Sequence, residues 1–235
     1  NGVLLARYAK DLAEAGLQRV NISLDTLDPK RFRRITRRGE LEDVLGGIEA
    51  ARHADLSPIK INTVVIRGLN DDEVVDLAAK TLEANWWNIR FIELMPVGNG
   101  ELMSEAWEEK TVTAREIRRR IEAALGPLQP ARMRVGGGPA RYYRLPGGKG
   151  TVGFITPISE HFCYRCNRLR LTADGQLRPC LLSDREIDLR TPLREGADAE
   201  AIKTLIVQGI NSKPMRHHIA EHLVPESRTM SEIGG

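Results

Sequence analysis

Three short stretches in the first hundred residues follow the two-residue rhythm of a strand, and the segments between them follow the 3.6-residue rhythm of a helix. This alternation restricts the architecture more than any other feature of the chain. RVNISL (Arg19 to Leu24), IKINTVVI (Ile59 to Ile66) and IRFIELM (Ile89 to Met95) are rich in β-branched residues and read as strands. Leu4 to Ala15 reads as a helix with apolar Leu5, Tyr8, Leu12 and Ala15, closed by Gly16. Asp28 and Pro29 open a short helix to about Ile35 as N-cap and first helical residue. Leu41 to Ala54 is amphipathic. Asn70 to Leu82 is expected to be a helix with Asp71, Asp72 and Glu73 in its first turn, where the macrodipole favours acids. Strand, helix, strand with connections this long means parallel βαβ units, because parallel neighbours need a crossover. Three such strands cannot close a barrel, and one face of their sheet is left to be covered.

The pattern changes after Met95. Pro96 to Gly100 is a turn-rich loop, and Thr113 to Leu125 is a helix with a capping box of Thr113 and Glu116. Gly136 to Pro139 breaks the chain. Short strands are expected at Arg141 to Leu145, Thr151 to Thr156, Arg168 to Thr172 and Gln176 to Cys180, with Asp174-Gly175 as a hairpin turn between the last two. Ala197 to Gly209 is a further helix. The division drawn from this is an α/β part over residues 1–112 and a smaller α+β part over residues 113–235.

Composition excludes several classes. Hydrophobic residues are 41% and charged residues 29%, which suits a folded protein and not a disordered one. No apolar run approaches the roughly 20 residues that span a bilayer, and no secretory signal opens the sequence. Lys plus Arg is 35 against 32 Asp plus Glu, too slight an excess for a nucleic-acid binder. The expected setting is the cytoplasm, with neither membrane nor nucleic acid as partner.

All three cysteines fall in Cys163-x2-Cys166-x13-Cys180. An odd, clustered set is not a disulfide framework and points to a metal or cluster site. The hairpin would fold Cys180 back towards the pair, so that three thiolates converge. An iron–sulfur cluster with three protein thiolates keeps one iron open for a substrate atom. A zinc staple with His161 as fourth ligand, or three buried free thiols, are the alternatives. Arg168 and Arg170 flank Leu169 directly after Cys166, and on a strand they would share a face. Two guanidiniums there suit an anionic ligand such as a phosphate chain, although a solvated R-x-R edge is the commoner occurrence.

Polar residues alternate along the early strands: Asn21, Ser23 and Asp25 on the first, Lys60 and Asn62 on the second, Glu93 and Met95 on the third. If the apolar alternates face the helices, these sets face a cavity, and ligands of parallel α/β architectures sit near the carboxyl ends of strands. A lysine on an interior strand face is costly unless it meets an anion, which makes Lys60 a candidate phosphate ligand. For Asn21 and Asn62 the competing reading is local strand-edge bonding, and for Met95 it is core packing.

NISLDTLD (Asn21 to Asp28), IKINTVVIRGLND (Ile59 to Asp71), FIELMPVG (Phe91 to Gly98), CYRCNRLRLTADGQLRPCL (Cys163 to Leu181) and the terminal Gly234-Gly235 together resemble the GTP 3′,8-cyclase family, the radical S-adenosylmethionine lyases of molybdenum cofactor synthesis. The resemblance implies the later strands of a partial (βα)6 barrel and a C-terminal iron–sulfur domain. It implies that Cys163, Cys166 and Cys180 hold a [4Fe–4S] cluster whose open iron meets the guanine of GTP. Arg168, Leu169 and Arg170 would line the GTP site, Lys60 would hold phosphate, and Ser23 and Met95 would contact S-adenosylmethionine. Gly234 and Gly235 would form a tail reaching the active site. The family's second [4Fe–4S] cluster uses a Cys-x3-Cys-x2-Cys motif that this sequence does not contain, so the expectation is that this polypeptide alone is inactive. Its strands would lack neighbours, the first would be an open edge, and the isolated chain is expected to be unstable or to aggregate. The implied partners are an electron donor protein, the downstream cyclic pyranopterin monophosphate synthase and a second copy in a homodimer. The reading from another class is a non-catalytic, metal-stapled nucleotide-binding module.

Overall fold

The computed structural model describes residues 1–97, 107–132, 138–217, 219–221, 225 and 228–233. In chain order the elements are α1 (Leu5–Glu14), β1 (Val20–Ser23), α2 (Pro29–Thr36), α3 (Leu41–His53), β2 (Ile59–Val65), α4 (Val74–Glu83), β3 (Asn88–Glu93), α5 (Trp107–Lys110), α6 (Ala114–Leu125), β4 (Gln129–Ala131), β5 (Arg141–Arg144), β6 (Thr151–Ile155), β7 (Arg170–Leu171), β8 (Gln176–Arg178), β9 (Ile187–Asp188), α7 (Arg190–Arg194) and α8 (Ala199–Asn211). The chain divides into two compact units, residues 1–94 with 110–159 and residues 95–109 with 160–235.

The first unit is a mixed sheet of order β1-β2-β3-β6-β5-β4 with helices. The crossovers make β1, β2 and β3 parallel, as their spacing requires. The count of three parallel strands is one short, because β6 also runs parallel beside β3. Gly150 makes this possible: a β-carbon there would lie 2.0 Å from the carbonyl oxygen of Trp87, so only glycine lets β6 start against the end of α4's return loop. The hairpin partners β5 and β4 then extend the sheet antiparallel, and β4 was not anticipated. β1 is an edge strand, as the sequence leads one to expect.

Register explains the core. Ile22, Ile59, Ile61, Val65, Ile89, Phe91, Val152 and Phe154 pack with Val44, Ile48 and Ala51 of α3, Leu77 and Ala78 of α4, and Ile117 and Ile121 of α6. Each large apolar side chain buried this way contributes roughly 1.5–3 kcal/mol. The next strand residues in phase, at positions 21, 23, 60, 62 and 90, necessarily fall on the opposite face.

Two local expectations are corrected. α4 begins at Val74 and not at Asn70, because the three acids before it are committed elsewhere. Asp71 pairs with Arg120, Asp72 takes two guanidinium nitrogens of Arg31, and Glu73 accepts from the Thr26 hydroxyl and the Leu27 amide, both at 2.5 Å. At α6, Thr113 does cap the helix by accepting from the Glu116 amide. The Glu116 carboxylate does not return to close a box; it binds Arg67 and Arg120, and Arg67 above all holds its pKa down to about 2.

The second unit carries the small antiparallel sheet β7-β8-β9, of which β9 and α7 were not anticipated. The Asp174-Gly175 hairpin forms as expected: the Gly175 amide donates to the Thr172 carbonyl, the Gln176 amide donates to the Thr172 hydroxyl at 2.8 Å, and Gly175 takes the left-handed φ of +83°. Among the described residues, no helix is long and apolar enough to cross a membrane.

Candidate functional site

On the polar face of the first unit's sheet, Asn21 lies beside Lys60, Ser23 beside Asn62, and Asn62 beside Arg90. The Arg90 guanidinium donates to the side-chain oxygen of Asn62 at 2.7 Å and to that of Asn21 at 3.0 Å. The two asparagines are thus tertiary acceptors for a buried cation rather than strand-edge fillers. Burial first, then the charges of Arg90 and Arg19, lower the pKa of Lys60, which is only 7% exposed. Buried Lys60 and Arg90 thus share one face of the sheet, and the charge of exposed Arg19 reaches Lys60. Ser23 is exposed at the carboxyl end of β1. Asp25 does not extend the polar row as a free group: its carboxylate accepts the Val64 amide at 2.8 Å, and burial pushes its pKa up.

Glu93 departs from expectation. It pairs in register with core residue Val65, so it lies on the helix side and not on the polar face. There it accepts from the amides of Ala114, Ile158 and Ser159 and from the Ser159 hydroxyl. Arg90 is the residue the sequence reading overlooked. Its signal was its phase with Lys60 and Asn62, readable only once the β2–β3 register is known. Met95 is half-buried in the second unit, beyond the end of β3.

In the second unit Cys163 opens a single 3-10 turn, and the Cys166 amide donates to the Cys163 carbonyl at 3.0 Å. Cys180 follows β8 by two residues. All three thiols are free and half-buried. The three lie within electrostatic reach of one another, although among the described residues no three His, Cys, Asp or Glu side chains are grouped closely enough to hold a metal ion. His161, the alternative zinc ligand, is exposed and stacks edge-on against His217 at 5.4 Å.

The surroundings of these sulfurs are cationic. Burial opposes ionisation of Cys166, but the Arg168 amide, the Arg168 guanidinium and the Lys213 ammonium outweigh it and lower its pKa. Burial raises Cys180, and the Cys163 and Cys166 thiols add to that rise while the Leu182 amide and Lys213 oppose it. Soft sulfur donors suit zinc or an iron–sulfur centre, and positive charge beside them favours the thiolate form that either needs.

Arg168 precedes the strand, because β7 starts only at Arg170; a shared strand face is therefore not imposed on the two arginines. Arg168 is exposed with its guanidinium 5.1 Å from the Phe162 ring centre. Leu169 and Arg170 are half-buried, and Arg170 donates to the Ile233 carbonyl at 3.2 Å. Burial and the neighbouring Arg168 and Arg178 charges lower the Arg170 pKa. Arg178, opposite Arg170 in the hairpin, binds Glu186 and Asp184, while Arg228 grips Asp174 and Glu186. These contacts fasten residues 228–233 within the unit, and no local pattern announced them. Gly234 and Gly235 lie outside the described residues.

Comparison with known proteins gives these observations a context. The model of the radical SAM superfamily matches residues 1–80, and the model described as Molybdenum Cofactor Synthesis C matches residues 87–219. Curated relatives from Pelotomaculum thermopropionicum, Heliobacterium modesticaldum and Thermodesulfovibrio yellowstonii, each named GTP 3′,8-cyclase, are 55%, 52% and 50% identical. Each aligns with 100% of this chain, which spans 71%, 71% and 70% of their respective lengths. With its whole length aligned at 50% identity or more to enzymes of a single name, the chain belongs to the GTP 3′,8-cyclase family of radical S-adenosylmethionine enzymes.

Proposed function

We propose that the protein works in molybdenum cofactor synthesis, converting GTP to (8S)-3′,8-cyclo-7,8-dihydroguanosine 5′-triphosphate. In this family [4Fe–4S] chemistry on S-adenosylmethionine supplies, when bound, the radical that takes a hydrogen from the GTP ribose. The chain's own share is binding and orientation. Cys163, Cys166 and Cys180 would hold a [4Fe–4S] cluster, their number leaving a corner for the guanine. Arg168, Leu169 and Arg170 would line the GTP site, with the two guanidiniums on charged oxygens. Lys60 would hold phosphate, helped by the positive field of Arg90 and Arg19. Ser23 and Met95 would contact S-adenosylmethionine, and the parallel strands would be the later part of the barrel. Free thiols suit a reducing compartment, the cytoplasm. The product would pass to cyclic pyranopterin monophosphate synthase.

The observation that carries this reading is the cationic setting of the sulfurs: Arg168 and Lys213 favour thiolate at Cys166, and Arg170 lies within the electrostatic reach of Cys166 and Cys180. Anaerobic reconstitution with iron and sulfide should load about four irons per chain, the content of one cubane; zinc at stoichiometry in their place overturns the cluster. Arg168→Ala should weaken GTP binding about tenfold or more, the worth of one charge-assisted hydrogen bond, and unchanged affinity would remove Arg168 from the site.

A further inference from the structure

The hairpin ladder that carries the cysteine segments is very short. β7 and β8 are last paired at Arg170 opposite Arg178, so residues 166–169 and 179–180 extend beyond the final rung. Those two overhangs bear Cys166 and Cys180. One side chain from outside the hairpin joins them. The Lys213 ammonium donates to the Arg168 carbonyl at 2.7 Å and to the Pro179 carbonyl at 2.7 Å. Arg168 is two residues after Cys166, and Pro179 directly precedes Cys180.

The fold delivers Lys213 to this place. α8 lies against β8 at Gly209, where a β-carbon would come 2.6 Å from a Leu177 methyl and 3.4 Å from one of Ile187. A β-carbon at residue 209 would therefore fit only if the Leu177 side chain or the helix shifted. The Ser212 hydroxyl donates to the Gly209 carbonyl and the Lys213 amide to the Ile210 carbonyl, ending the helix at Asn211, two residues before Lys213. An ammonium can serve two carbonyls at once with directed N–H bonds, which no apolar contact replaces.

We propose that Lys213 is a strut that fixes the spacing of the two cysteine-bearing overhangs, a positioning residue for the cluster; this rests on the reading that Cys163, Cys166 and Cys180 hold that cluster. Its hydrogen bonds go to main-chain carbonyls, and its charge is felt at the Cys166 and Cys180 sulfurs.

The test compares the full chain with Lys213→Met, which keeps the stem and removes the donors. Backbone amide hydrogen exchange is measured on the cluster-free proteins, and iron release to a chelator on the reconstituted ones. Expected for Lys213→Met is faster exchange at residues 166–169 and 180–182, with the Arg170–Arg178 rung and α8 unchanged. Iron release should be about tenfold faster, the low end of what losing an outer hydrogen bond costs a metal site. Gly209→Ala, which pushes α8 away from Leu177 while leaving residue 213 intact, should change both readouts in the same direction and serves if Lys213→Met does not fold. Exchange equal to wild type overturns the strut whatever the iron release, because release also responds to the lost Lys213 charge beside Cys166 and Cys180. A wild type that takes up no iron while Lys213→Met still exchanges faster at the overhangs leaves the strut standing and overturns the cluster reading.

Discussion

Glu93→Ala should be among the most destabilising single changes in the first unit. The carboxylate is 1% exposed. One oxygen accepts the Ala114 amide at 2.9 Å and the Ser159 hydroxyl; the other accepts the Ile158 amide at 3.2 Å and the Ser159 amide at 2.9 Å. Ala114 is the first residue of α6, so the charge also sits at a helix N-terminus, where an anion is favoured. Alanine leaves three main-chain donors without this acceptor. An orphan donor costs about 1–3 kcal/mol when buried, and here Ala114 and Ile158 are half-buried and Ser159 is exposed, which puts each towards the low end. Water entering the vacated polar space recovers part of that, which sets the expected loss at about 3 kcal/mol. Glu93→Gln keeps one good acceptor but turns an amide N–H towards donors, for a loss of about 2 kcal/mol. Urea unfolding of the cluster-free chain measures both: the midpoint should fall with an unchanged slope. A Glu93→Ala protein within about 1 kcal/mol of wild type would show that these donors find other partners, and the account of Glu93 as a buried anchor would fail.

Lys60→Met tests the reading of Lys60 as a phosphate ligand from the opposite side. The pKa of Lys60 is lowered in the fold, so between that value and the unfolded one the unfolded chain binds more protons, and stability rises with pH through this window. The charged ammonium therefore costs stability at neutral pH. The methionine variant should unfold at higher urea while its affinity for GTP falls about tenfold; a lower midpoint with unchanged affinity would make Lys60 a structural cation. The clamp on residues 228–233 has its own pH signature. Arg228 above all, then Thr172, hold Asp174 down to about 2, below its ordinary value, so its contribution is complete above about pH 4 and is lost as pH falls towards 2. Hydrogen exchange of residues 228–233 should stay slow at pH 5 and accelerate below pH 4 relative to the intrinsic rate; release already at pH 6 would refute the clamp.

Much of the architecture was legible because it is local. The Leu41–His53 helix, the alternation of Ile59–Val65 and the Asp174-Gly175 turn are each set by side chains within a few residues of one another. Cys163, Cys166 and Cys180 and the arginines beside them were legible for the same reason: spacing along the chain is itself the signal. What was not legible is every decision made between distant segments. The acids at positions 71 to 73 have the pattern of a helix start, yet Arg31 and Arg120, some 40 to 50 residues away, claim Asp72 and Asp71 and delay the helix. The alternation along the third strand points Glu93 to the cavity side, yet register with Val65 turns it to the helices. Arg90 joins Asn21 across 69 positions of sequence, and Lys213 reaches Arg168 across 45. By itself the sequence determined the longer strands and helices, and which residues bring sulfur and positive charge. Only the tertiary structure decided which polar group meets which, because strand register and the partners of buried charge are settled by packing between segments that local periodicity cannot relate.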